Sequence, residues 1–339
     1  MIRKWCCSGK FADFVSRARS RSVALPVLAA LLALPACAGL DESGFSEQGE
    51  LLDSSATLTL VQEYGPGAML SLRGARLGDP GGQTYAIGYA AAVAARGNDI
   101  FVVDQAAGQL VQINAALGDA RMLISLSDPN THGVYVAPDL TVYVVDKFNR
   151  AVRRLNDAGQ TTRLYADPNL IPAPVDVAET GWGDSIVVAD ALNKHLVMFD
   201  PLAGAFHVMG PNSSRAVFAQ TVHALAATRN SVYLLDPEMG EVMRFGLRGN
   251  PLGSYGEDEL QLPTALAVDG CGRLFVADQS RRGILVSLSD MMVLPTRVLN
   301  RELTGALITD LWVDDNFLYV AAGAGGVMIF RIEPACSAL

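Results

Sequence analysis

The sequence predicts an all-β chain: six four-stranded sheets stacked radially as a six-bladed β-propeller and closed by an N-terminal strand. Three observations predict it. First, an apolar run ending in Asp, a short polar turn and a second apolar run recur five times, at Asp104, Asp146, Asp190, Asp236 and Asp278. Second, the spacing is even: the intervals, counted on to the matching Ala322 of a sixth unit, are 42, 44, 46, 42 and 44 residues. Third, TLTLVQEY at 57–64 alternates like a strand but stands before the first unit, while the last unit lacks a fourth strand. A period in the forties with four short strands per unit is the pattern of a propeller blade.

The chain opens with a segment to set aside. Met1 to Ser22 carries six basic residues against Asp13. VALPVLAALLALPA follows, at 23–36. Fourteen apolar residues span about 21 Å, short of the roughly 30 Å hydrocarbon core, so the segment reads as a secretory signal rather than a membrane anchor. It ends Leu34-Pro35-Ala36-Cys37, which resembles the bacterial lipobox. The resemblance implies that Cys37 becomes the first mature residue and carries lipid, palmitate included. Ala38, rather than Asp, follows it, which by the same resemblance implies an outer-membrane lipoprotein facing periplasm or surface.

Residues 37–56 read as the lipidated Cys and a flexible tether. Five acids and no base lie in 38–56, interleaved with Gly and Ser, for a root-mean-square reach of about 25 Å. The whole chain holds 26 basic and 35 acidic residues; six and one of these lie in the first 36, leaving 20 and 34, a mature charge of −14. Such a balance excludes nucleic acid as a partner, because phosphate binding needs a basic surface.

Residues 57–339 are the propeller domain, with repeats at about 87–123, 124–166, 167–210, 211–256, 257–299 and 300–339 plus the closing strand 57–64. Each unit carries an earlier innermost run, such as ALAVD (265–269) or LWVDD (311–315), before its Asp-tipped strand. The runs are nearly continuously apolar, as sheets buried between other sheets require. VYVVDKFNRAVRRL, with Asp146, Asn149 and Arg150, and DALNKHLV, with Asp190 and Asn193, resemble the NHL-repeat class of six-bladed propellers. The resemblance covers about residues 87–339. It implies architecture and leaves function open, since the fold hosts binding modules and enzymes alike.

The repeated Asp residues read as structural: a carboxylate ending a strand before a tight turn accepts the turn's N–H groups. Cys6 and Cys7 leave with the signal, so Cys271 and Cys336 remain. By strand parity both emerge on one face in adjacent blades, either as a disulfide pinning the C-terminal tail or as two free thiols. His132 and His223 occupy equivalent positions at the entry to the innermost strands of blades two and four. With Asp310 entering that of blade six, they form a candidate metal or acid–base set at the channel mouth, beside the alternative of ordinary channel lining. Related six-bladed peptidylglycine amidating lyases carry channel-facing His ligands. No counterpart of the Glu, Asn and Asp set of gluconolactonase-like propellers is found. The long link 65–85, with Arg73 and Arg76, reads as a binding loop on the face of those histidines or as a structural plug.

The expected function is therefore a binding or scaffold propeller of the bacterial envelope. It would be held to the membrane by its lipid and engage a protein, peptide or glycan, with no cofactor. The alternative is a metal-dependent lyase or lactonase-type enzyme with zinc or calcium in the channel.

Overall fold

The computed structural model describes residues 57–73, 84–128, 133–180, 185–209, 221–256, 259–288, 296–298, 303 and 305–336, all within the unit Ser54–Leu339. Cys37, Arg76 and His132, and with them the signal and the tether, lie outside the described residues.

Six sheets, each with four antiparallel strands at its heart, form the blades. From the axis outward, blade one has Ala90–Arg96, Asp99–Asp104, Gln109–Asn114 and Asp119–Ser125; blade two has Val134–Val136, Val142–Asp146, Ala151–Leu155 and Thr161–Ala166. Blade three has Pro174–Glu179, Ile186–Asp190, His195–Asp200 and Ala205–Val208; blade four has Ala224–Ala227, Ser231–Asp236, Glu241–Gly246 and Pro251–Tyr255. Blade five has Pro263–Val268, Arg273–Asp278, Gly283–Leu288 and Thr296–Val298. Blade six takes Asp310–Asp314, Phe317–Ala321 and Val327–Glu333 from the C-terminal end and Thr57–Tyr64 from the N-terminal end. That last strand pairs from Thr57↔Glu333 to Tyr64↔Val327, so both ends of the domain close one sheet.

Burial falls off with distance from the axis. Val142–Asp146, Ile186–Asp190 and Ser231–Asp236 are buried throughout, whereas Thr161–Ala166 and Thr57–Tyr64 are mostly exposed. The second strands are sandwiched between neighbouring sheets and need Val, Ile and Leu on both faces; outer strands bury only one side. One apolar cluster fills each gap between blades. Phe275, Leu318 and Phe330 lie between blades five and six, and Tyr64, Val102 and Tyr319 between six and one. Burying a side chain such as Phe330 contributes about 2–3 kcal/mol. The innermost strands are rich in alanine, as in Ala90–Arg96 and Ala224–Ala227, because the wedges narrow toward the axis.

The link after the closing strand is partly built into blade one. Leu70–Leu72 runs parallel to the outer strand of blade one at Asp119 and Ala120, and Thr84–Tyr85 pairs with it, widening that sheet to six strands. Arg73 is tied to Asp119 through two hydrogen bonds, 3.0 Å from Nε and 2.5 Å from a terminal nitrogen. The described part of the link is therefore edge cover on blade one. An unpaired sheet edge is a liability, and this segment covers its beginning at Asp119 and Ala120.

Candidate functional site

Two faces of the disc must be told apart. On the entry face the innermost strands begin and the Asp-tipped strands end. On the exit face the innermost strands end, and the turns to the second strands lie there.

On the entry face, each repeated Asp holds its own turn and, in four blades, the chain arriving at the blade. Asp104 accepts bonds from Gly88 N and Tyr89 N at 2.9 and 3.0 Å and from Ala106 N at 3.1 Å. Asp190 takes Ala173 N at 2.6 Å and Asn193 N at 2.7 Å. Asp236 takes the Thr221 hydroxyl at 2.7 Å and Glu238 N at 3.0 Å, and Asp278 takes Gln261 N at 2.7 Å and Ser280 N at 3.0 Å. Asp146 accepts Asn149 N at 3.0 Å and Arg153 Nε at 2.6 Å. Burial alone would raise the carboxyls of Asp146 and Asp278. The hydrogen bonds they accept, with the Arg153 charge beside Asp146, outweigh it and hold both below the ordinary range. These carboxylates are committed to their own turns and to neighbouring side chains.

His223 precedes the innermost strand of blade four at the entry rim, where its imidazole bonds the Thr264 backbone; burial lowers its pKa. It does not line the cavity described below. His195 begins the third strand of blade three. It is buried, with Nε2 2.7 Å from Leu170 O, and so is a packing residue. Arg73, the described residue of the expected binding loop, sits at the start of blade one's outer strand, away from His223.

Asp310 has a counterpart that sequence reasoning missed. Asp310 and Asp176 occupy the same position in blades six and three: each pairs with the alanine one residue before the clasp position, Ala321 and Ala189. Each makes the same two bonds. Asp310 takes Leu311 N at 2.8 Å and, from the next blade, Val93 N at 2.9 Å. Asp176 takes Val177 N at 2.8 Å and, from the next blade, Leu225 N at 2.7 Å. An innermost strand turns an unpaired edge toward the channel, and these carboxylates satisfy N–H groups along it. Burial raises both: Asp176 to about 7, and Asp310 well above its ordinary value, with repulsion from Asp176 adding to the effect. The signal for Asp176 was present in the sequence only as a charge between two valines of the innermost run, PVDVAE.

A cavity of about 1010 Å³ occupies the channel and opens on the exit face. Asp176 and Asp310 lie at its deep end, and Arg96, Asp269 and Asp314 line its outer end. Two residues beyond the Asp position stand Ala178, Ala226 and Ala267 in blades three to five, but Tyr135 and Trp312 in blades two and six. The alanines open the space. Tyr135 and Trp312 meet edge to face at 5.1 Å, and the indole donates to Ala95 O of blade one at 2.8 Å. Together they wall the cavity on the side of blade one. Burial, with the Glu179 charge, raises the Tyr135 phenol to about 12.

The rim is braced. Arg96 bonds Asp314 at 2.6 Å across the seam between blades one and six. Cys271, in the inner turn of blade five, is joined to Cys336 by a disulfide, with Cα atoms 5.7 Å apart. Beneath it Arg273 is fully buried, bonding Asp269 at 2.5 Å and Pro334 O at 2.8 Å. Asp269, Cys271 and Cys336 cluster closely, but two are oxidised to each other and the third is paired with Arg273, so they hold no ion.

No family model and no curated protein matches the sequence. Solved structures do. Over 82% of this chain and 99% of the other, the fold is similar to a catalytically inactive His-to-Ala variant of virginiamycin B lyase from Staphylococcus aureus with quinupristin, at 11% identity and a TM-score of 0.55. It is also similar to a gluconolactonase from Xanthomonas campestris, at 16% identity and a TM-score of 0.56, over 82% of this chain and 97% of the other. A structural-genomics protein of unknown function from Bacteroides thetaiotaomicron matches at 14% identity and a TM-score of 0.57, covering 82% and 76% of the two chains. At these identities the likeness concerns the fold. The chain is a six-bladed β-propeller.

Proposed function

We propose that this chain is a binding module of the bacterial envelope, held to the membrane through a lipid on Cys37 and engaging a protein, peptide or glycan partner at the exit-face cavity. The observation that carries the reading is how the cavity's charged groups are used. Asp176 and Asp310 hold backbone N–H groups, Asp314 holds Arg96, and Asp269 holds Arg273. Among the described residues no histidine lines the cavity. Side chains so committed give a rigid, pre-shaped recess, which suits recognition.

The enzyme reading is favoured by one observation: a lyase and a lactonase share the fold. It would use zinc or calcium with His132, His223 and Asp310. Elemental analysis of the purified mature protein separates the two. A metal-free protein whose melting temperature ignores chelator supports the binding module. Stoichiometric metal, lost in a His132→Ala/His223→Ala double variant, defeats it. The anchor is tested separately: mass spectrometry should find a lipid-modified N-terminal Cys37, and Cys37→Ala should release the protein from membranes.

A further inference from the structure

The binding reading leaves the ligand's chemistry open, and the cavity constrains it. Its lining carries six carboxylates, two of them at the deep end, against three guanidiniums. Of the three, Arg96 is already paired with Asp314, and Arg244 bonds Ser231 Oγ at 3.0 Å and lies over the Tyr233 ring, 5.7 Å from its centroid. Two of the six carboxylates are neutralised in turn, Asp314 by Arg96 and Asp269 by Arg273, and Lys147 lies close enough to Asp176 to offset part of its charge. The acid excess that remains rests on Asp310, Glu179 and Asp315, and a concave recess with low-dielectric walls focuses it on an entering cation. The aromatic wall is a second, separate feature. Tyr135 and Trp312 present one ring edge-on to the other on a single side, an arrangement that offers an aromatic face to a bound cation. Among the described residues the Tyr135 hydroxyl has no hydrogen-bond partner, which leaves it available to a ligand.

Burial raises both deep carboxyls, so an arriving cation must draw them into the ionised form, and in that form they retain acceptor capacity. Each oxygen of Asp176 and Asp310 accepts one backbone N–H, whereas a carboxylate has about four acceptor sites. The distance down the recess is set by the strands: from Asp310 to Asp314 is four residues, about 13 Å. A ligand that reaches the floor must therefore be slender, with its charge at the leading end.

Resting on the binding-module reading, we infer that the cavity takes a ligand ammonium-first: an alkylammonium group passes the Tyr135–Trp312 wall and docks between Asp176 and Asp310. The group belongs either to a lysine side chain of a partner peptide or to a free amine.

Calorimetric titration of the detergent-solubilised full chain tests this, with Trp312 fluorescence as a second readout. The probes are n-butylammonium, the neutral isostere n-butanol, the anion butyrate, and an acetylated Gly-Lys-Gly amide with its norleucine counterpart. Butylammonium is expected to bind at least about tenfold tighter than butanol, with butyrate weakest. An Asp176→Asn/Asp310→Asn variant should lose about tenfold or more, its melting curve being read in parallel. Tighter binding of the lysine peptide assigns the group to a peptide partner; tighter binding of butylammonium assigns it to a free amine. Equal affinity for butanol, preference for butyrate, or no butylammonium binding at millimolar concentrations overturns the inference, and the comparison of isosteres on the unaltered protein needs no variant to fold. Stoichiometric metal in the same sample, the result that defeats the binding reading itself, is recorded independently.

Discussion

Blades one to five and blade six reach the same architecture by different chemistry. In the first five a buried carboxylate ends the second strand and fastens its turn. Blade six has Ala322 there, and a glycine turn takes over: Gly323 O accepts Ala90 N of blade one at 2.9 Å, and Ala322 N bonds Gly326 O at 2.8 Å. Gly326 has φ +82°, and a Cβ on it would lie 2.0 Å from Tyr64 O. The carboxylate clasps are local and each serves one blade. The seam is long-range: Arg96–Asp314 and the Trp312–Ala95 bond join blade six to blade one, and on the other side of blade six the disulfide ties the C-terminal tail to blade five. A ring closed by local clasps alone would open where its two ends meet, which is why the long-range contacts concentrate there.

The contrast can be broken most severely at the closing strand. Deleting residues 57–64 should cost at least about 5 kcal/mol and lower the melting temperature by about 10 °C or more, because a whole strand of blade six and the cover over Phe330 go with it. Thermal unfolding by circular dichroism reads this; an unchanged transition would mean that the strand is dispensable trim. Next is the disulfide. Cys271→Ser/Cys336→Ser releases a loop with a sequence separation of 65. On the chain-entropy account it should cost about 4 kcal/mol in denaturant titrations. Gly326→Ala comes third, at about 3 kcal/mol, since it adds backbone strain to a clash with backbone. A single clasp is weaker: Asp236→Ala should cost about 2–3 kcal/mol by orphaning turn N–H groups. If the clasp variant proves more damaging than the seam variants, the contrast is inverted.

The smallest effect is in pH dependence, and its sign differs between two sets of buried Asp. Asp146 and Asp278 sit below the ordinary 3.8, so their contribution is present above 3.8 and is lost as pH falls through the lowered values. Asp176 sits at about 7, so its contribution is full below 3.8 and is lost as pH rises through about 7. Because Asp176 lines the cavity and is only partly buried, the slope is shallow. Asp176→Asn should flatten the fall in melting temperature between pH 4 and 7, and an unaltered slope would show that Asp176 is ionised throughout that range.

The fold was legible because its determinants are local and repeated. Five Asp residues at nearly constant spacing announce the clasps, continuous apolar runs announce sheets buried on both sides, and TLTLVQEY before the first unit announces a strand in need of a partner. The cavity was much less legible. Asp310 stood out at the entry to an innermost strand, but its meaning depends on Asp176, half a ring away, and nothing in the spacing links them. Tyr135 and Trp312 read as ordinary apolar residues in innermost runs until closure brings blades two and six to either side of blade one. The link 65–85 read equally as a contact loop or a structural plug, because length and glycine content reveal nothing of an open sheet edge nearby.

What the sequence by itself determined is the period, the blade count, the turn chemistry and the pairing of the two ends, since each follows from which residues lie within a few positions of one another. Only the tertiary structure decided which face is hollow, which carboxylates share the channel and where the chain covers an edge. Those depend on distances between blades, and such distances exist only once the ring has closed.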